Sequence, residues 1–147
     1  MARRDLTIQP LIEDRTENIF IGLEYPLKRS EGIEGYFEST KTTIQAVKNN
    51  IKLLLSTDKG ERLMQPQLGM GLKKYLFEQV TDETKIAIEN DIIDTFEQYL
   101  PFVEVKDLKV QMLPDSVGSR NTMKVTVLFN ITKDPNSLES VTVTLGD

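Results

Sequence analysis

The stretch Asp58–Phe77, D-K-G-E-R-L-M-Q-P-Q-L-G-M-G-L-K-K-Y-L-F, decides how the rest of the chain is arranged. It holds Gly60, Gly69 and Gly71, one proline at Pro66, and aliphatic side chains at Leu63, Met64, Leu68, Leu72 and Leu76. Glycine opens backbone angles that other residues avoid, and proline holds one φ near about −65° and donates no hydrogen bond. A connection that only had to be soluble needs no such spacing of aliphatic residues. The expectation is an ordered, partly buried loop, with Gly60, Pro66 and Gly69 as its structural positions, that sets how one helix meets the next element. Glu61 and Arg62 are then held at a fixed place on the surface or just beneath it.

Upstream, Ile44, Val47, Ile51, Leu54 and Leu55 recur at helical spacing and predict a helix over Thr42–Leu55, with its apolar side chains on an arc of roughly 100°. Lys41, Lys48 and Lys52 line up beside that arc. The stripe reads as a solvated helix edge or as a landing strip for an acidic partner helix. Ile19–Leu27 is apolar enough to dock on a core or form an edge strand, Pro26 excludes a central one, and 29–35 reads as a turn-rich loop. Met1–Ile19 is polar without period, an arm that is mobile alone or ordered by a partner. The domain expectation is an extension at 1–40 and an α+β domain at 41–147.

Downstream, Leu72–Glu78 predicts one or two helical turns ending at Glu78. Thr81 or Asp82 then caps a second helix that stops at Pro101. Ile86, Ile88, Ile92, Ile93, Phe96, Tyr99 and Leu100 form its apolar face, with Asp91, Asp94 and Glu97 opposite. Glu89 falls inside that face. An unpaired buried carboxylate costs several kcal/mol or stays protonated, so a partner is expected, and Arg62 is the candidate. An internal clamp between loop and helix is preferred here over a catalytic carboxylate.

The last third alternates. Val103 and Val105 lead to Leu108, Val110 and Met112; Met123, Val125, Val127, Phe129 and Ile131 form the clearest strand; Val141, Val143 and Leu145 alternate with threonines. Polar turns are expected at Pro114–Thr122 and at Asp134-Pro135-Asn136. The fold class is therefore α+β, two main helices packed on one face of an antiparallel three-stranded meander, with an N-terminal extension. The closing strand carries no Lys, Pro or Gly between Val141 and Leu145. Such an edge is either tolerated because it is short or used for strand addition.

Composition narrows the chemistry. Among 147 residues there is no cysteine and no histidine, which removes thiolate chemistry, disulfides and the Ser–His and Cys–His dyads. Net charge is −5, yet residues 41–80 carry 7 basic against 3 acidic side chains and residues 81–121 carry 4 against 9. No concentrated positive face for nucleic acid results, and different protein neighbours fit this pattern better. No apolar run approaches the roughly 20 residues of a membrane span, and no signal peptide is read. Neither a Ca²⁺ loop nor a P-loop occurs, so no cofactor or metal is expected.

The order of helix, Gly60, Arg62, Pro66, Leu68, Gly69, then Leu76-Phe77-Glu78, an acidic helix ending at proline and a meander resembles the baseplate wedge family of contractile-tailed bacteriophages. This "lysozyme-like" family also takes in a type VI secretion baseplate component. The resemblance spans about residues 42–145. It implies a non-enzymatic virion part in the tail baseplate, assembled in the host cytoplasm, that binds the wedge core-bundle proteins near the tail tube and initiates the tail sheath. It also implies that sheath strands add to the C-terminal sheet, which gives the Val141, Val143 and Leu145 edge a use. The family's Glu-Pro-Arg at the end of the second helix is here Leu100, Pro101 and Phe102. Docking then relies on an apolar contact there, or on Glu61, Arg62 and the lysine stripe. The competing readings are a peptidoglycan hydrolase using two of Glu61, Glu78 and Glu89, and a generic strand-addition adaptor. The first lacks tryptophan for sugar stacking.

Overall fold

The computed structural model describes residues 20–30, 35–79, 81–114, 121–132 and 134–146. The expectation for Met1–Ile19 lies outside them, as does part of the 29–35 loop. Gly22–Leu23 (β1) and Ser39–Thr40 (β2) pair antiparallel as a small hairpin. Helix α1 is Thr43–Ser56, a 3-10 helix covers Leu72–Phe77, and α2 is Asp82–Tyr99. Strands β3 (Val103–Pro114), β4 (Asn121–Ile131) and β5 (Asp134–Leu145) form an antiparallel sheet in the order β3-β4-β5.

Each helix starts where a hydroxyl can take an orphan amide. The Thr42 side chain accepts from Gln45 N, and the Thr81 side chain from Thr84 N. Asp82 and Glu83 add negative charge to the first turn of α2, where the helix dipole favours it. Helix α1 lies along β5, α2 along β3, and the 3-10 helix touches β4. Met123, Val125, Val127 and Phe129 of β4 are fully buried beneath this layer, with Ile51, Leu55, Ile88, Ile92 and Phe96 above. Burying each such side chain contributes roughly 1.5–3 kcal/mol, so the helix layer and β4 are the main source of stability.

Register explains how all three strands present one apolar face. Val125 stands between Val110 and Val143, and Val127 between Leu108 and Val141. Val103 and Val105 have the opposite parity to Leu108, Val110 and Met112. A bulge between Val105 and Asp107 absorbs one residue and brings both halves of β3 to the same face.

Two sequence expectations need correction. The expected turn at Asp134-Pro135-Asn136 lies within β5. Ile131 pairs directly with Asp134, so the reversal is tighter, and a second irregularity follows between Phe129 and Ile131. An edge strand with a bulge tolerates proline, which is why Pro135 does not end it. The expected apolar face of α2 is also too broad: Ile86 and Ile93 are exposed, and Ile88, Ile92, Thr95 and Phe96 form its buried stripe.

The apolar segment around Leu23 forms a short strand as one of the two expectations had it, but Phe20, Ile21, Leu23 and Leu27 stay exposed and do not dock on the core. Asn49 of α1, buried in the middle of the helix, donates to Leu23 O and to Glu24 Oε2, both at 3.3 Å. These bonds tie the hairpin to α1.

Candidate functional site

The loop between α1 and the 3-10 helix is built from its own hydrogen bonds. Gly60 N donates to Pro66 O at 2.9 Å, Met70 N to Thr57 O at 3.0 Å, and Leu68 N to Gln65 O at 3.0 Å. Gly69, at φ +119°, passes so close to the end of α1 that an added Cβ would stand 2.5 Å from Thr57 O. Only glycine fits there. Asp58 N donates to Glu61 Oε2, and Lys73 bridges Asp58 at 2.8 Å and Glu61 at 3.6 Å. Tyr99 of α2 donates its hydroxyl to Gln67 O and fastens the far side.

The loop therefore distributes its residues differently from their spacing. Leu72 and Leu76 are buried and Leu68 half-buried, but Leu63 and Met64 are each 95% exposed. Glu61 is engaged inside the loop. Arg62 is exposed, and no bond joins it to Glu89. The expected clamp is absent because Glu89 sits half-buried on a groove rim rather than in the core, where it keeps access to water. Glu78 is exposed beyond the 3-10 helix.

A second half-buried carboxylate, Asp91, lies two residues further along α2. Tyr75 donates its hydroxyl to Asp91 Oδ2 at 2.6 Å, and Lys74 Nζ reaches the same oxygen at 3.2 Å. Burial by itself would raise the Asp91 pKa, but these two donors outweigh it and hold the carboxyl below its ordinary value. Tyr75 is pushed up, by burial first and then by the Asp91 carboxylate. Asp91 is thus a partly exposed strut between α2 and the 3-10 helix.

The remaining predicted residues separate into inward and outward sets. Lys48 forms a 2.7 Å ion pair with Glu139 of β5. Lys52 is half-buried, and Lys41 lines a small cleft with Glu24 and Glu38. Leu100, at the end of α2, is buried in the core cluster. Pro101 is exposed and Phe102 is 40% exposed at that corner. Val141, Val143 and Leu145 point their side chains inward beneath α1, while among the described residues β5 pairs on one side only, with β4.

A groove of about 440 Å³ runs between α2 and β3, floored by Ile93, Phe96, Val105 and Leu108 and rimmed by carboxylates that include Glu89 and Glu97. Glu104 on the same rim is held below the ordinary carboxylate range by its hydrogen bond to Lys106. A glycosidic general acid needs the opposite shift. Among the described residues no group of carboxylates is arranged to hold a metal ion.

A hydrogen-bonded loop and two helices packed on one face of a three-stranded antiparallel sheet define an α+β module. The chain belongs to the family described as baseplate wedge protein gp25, which it matches over residues 41–136. It is 28% identical over 103 residues to the baseplate wedge protein gp25 of Enterobacteria phage T4, covering 70% of this chain and 75% of that one. The chain is accordingly a structural component of a contractile-tail baseplate and not an enzyme. The fold recurs in a chain of the anti-feeding prophage baseplate solved by cryo-EM with 6-fold symmetry, at TM-score 0.61 and 24% identity, over 78% of this chain and 86% of that one. It recurs as well in the crystal structure of a putative tail lysozyme from Geobacter sulfurreducens, at TM-score 0.57 and 20% identity, over 71% and 91% respectively.

Proposed function

We propose that this wedge protein starts the tail sheath by lending the outer edge of β5 to a strand of the sheath protein, while its other surfaces dock on the wedge core bundle. The observation that carries the reading is the Val141–Leu145 edge, which has no strand beside it among the described residues. Nor does it carry a lysine, a proline or a bulge. Backbone groups on such an edge pair readily with an incoming strand. The Val141, Val143 and Leu145 side chains already face α1, so an added strand supplies main-chain bonds without disturbing the core. Arg62, Pro101 and Phe102 are the outward residues available to the core bundle. The division into an extension at 1–40 and a domain at 41–147 belongs to the same reading and is supported by the family match beginning at Lys41. In it, the extension serves a neighbour particular to this particle, and assembly takes place in the host cytoplasm.

Proline scanning of the edge tests the mechanism. Successive residues of a strand turn their N–H groups to opposite sides, so one of Thr142→Pro and Val143→Pro loses an outward amide and the other a bond to β4. The variant that keeps the cooperative urea transition of the parent is expected to abolish sheath nucleation on assembled baseplates. Normal sheath growth with that folded variant rules strand addition out at this edge.

A further inference from the structure

We infer that Leu63 and Met64, flanked by Arg62, form a pre-ordered apolar prong that inserts into an acidic-rimmed apolar socket on another protein of the assembly. The inference rests on the reading of the chain as one part of a multi-protein baseplate, but it uses a different surface from the β5 edge.

Exposure alone would not carry it, since isolated surface hydrophobics are ordinary. Here two adjacent large side chains are each 95% exposed at the tip of a loop whose base is tied down on every side. The bond from Gly60 N to Pro66 O closes the loop around them, Gln65 N bonds to Arg62 O across the tip, and Lys73 holds Asp58 and Glu61. Because the tip backbone is already held in one shape, the ordering cost on binding falls on the two side chains and not on the loop. The unbranched Met64 side chain adapts to an irregular socket.

Charge defines the occupant. Lys73 bridges both Asp58 and Glu61 and so offsets one of the two carboxylates, whereas the exposed Arg62 guanidinium makes no ion pair among the described residues. Exposed Lys59 adds to the same sign. The tip is thus locally positive on a chain of net charge −5. That overall charge disfavours an anionic bilayer or a nucleic acid, both of which attract the molecule as a whole by its net positive field. It favours a protein pocket in which a carboxylate meets Arg62 while the apolar pair is buried. The chain's own groove between α2 and β3 has that chemistry too. A prong entering the groove of the next copy is a head-to-tail contact, however, and propagates without limit unless its rotation happens to close.

The test uses the full chain assembled with the wedge proteins of the same particle. With the photo-crosslinking residue p-benzoyl-phenylalanine at position 64, irradiation is expected to join the prong to one protein other than this chain, at a peptide containing apolar residues and Asp or Glu. Leu63→Ser combined with Met64→Ser should lower incorporation into the wedge about ten-fold or more, with an unchanged urea midpoint. Arg62→Glu should lower it similarly, and Arg62→Lys less. Crosslinks to residues 89–108 of a second copy, recovery of the protein on vesicles of anionic lipid, or wild-type incorporation of the double variant would each overturn the proposal. So would a fall in the urea midpoint, because the tip would then be holding the fold. A double variant that enters the wedge but fails to nucleate sheath would count against the prong without touching the β5 edge. A Thr142→Pro or Val143→Pro variant that nucleates normally would do the reverse.

Discussion

The two outer strands of the sheet flank the same β4 and share one buried face, yet their free edges are built in opposite ways. Strand β3 carries a bulge between Val105 and Asp107, ends at Pro114 and sets charged residues along its outer face, with Lys106 on Glu104 at 2.6 Å and Lys109 on Asp107 at 3.7 Å. These are the devices by which sheets discourage a further strand. Strand β5 places its proline and its irregularity in its first half, leaving Val141–Leu145 regular and uncharged. The carboxylate just before it, Glu139, is tied to Lys48 of α1. A single sheet therefore has a guarded side and an open side, and the strand addition proposed above needs only one of them.

The largest expected effect falls on what the two edges share. Phe129 of β4 is fully buried, and Phe129→Ala should cost about 3–5 kcal/mol in urea unfolding and abolish both edges together. A loss below about 1 kcal/mol would show that the sheet is not the core on which the comparison stands.

Exchanging the guards comes next. Thr142→Lys places a charge on the exposed face of β5 and should cut sheath nucleation about ten-fold, with stability changed by no more than about 0.5 kcal/mol. The reciprocal change on β3, Lys106→Thr with Lys109→Thr, should leave nucleation intact and raise self-association in light scattering. The opposite pattern would assign the open edge to β3.

A smaller effect separates the helix layer from the edges. Asp91 is held below its ordinary pKa in the fold, so it binds protons less readily there than in the unfolded chain. Its contribution is present in full above the unfolded carboxylate value, near about pH 4, and is lost as pH falls through the lower folded value. Asp91→Asn should cost about 1 kcal/mol at pH 7 and flatten the loss of Tm between roughly pH 5 and 3, with no effect on nucleation per folded molecule. Parallel wild-type and variant Tm curves across that range would remove Asp91 as a strut. Least of all, Lys48→Met should cost under about 1 kcal/mol, because both partners of its ion pair are about one-third exposed.

Much of this was legible in the sequence where one period ran unbroken. The alternation from Met123 to Ile131 located β4, and the i, i+3, i+4 spacing from Val47 to Leu55 located α1 and its buried side. The bulge in β3 was not read from the sequence, although Val103 and Val105 differ in parity from Leu108, Val110 and Met112. No single-strand pattern can absorb that change without an extra residue. Asp91 was misplaced because a helical wheel ranks residues against one core, while α2 also leans on the 3-10 helix, and only tertiary packing brings Tyr75 to it. Loops have no period at all, so the aliphatic residues between Gly60 and Gly69 looked alike. Hydrogen bonding then put Leu68 half inside and Leu63 and Met64 wholly outside. Glu89 misled for a related reason: it belongs to the apolar arc by angle, but a groove beside β3 leaves it wet.

Hydrogen–deuterium exchange on the full chain, free and then in baseplates carrying the first sheath ring, compares the two edges directly. The account predicts that outward amides within Val141–Leu145 exchange rapidly in the free protein and become protected when sheath is added, while those of Lys106–Gln111 stay unchanged. Protection of the β3 amides with none at β5 would contradict it.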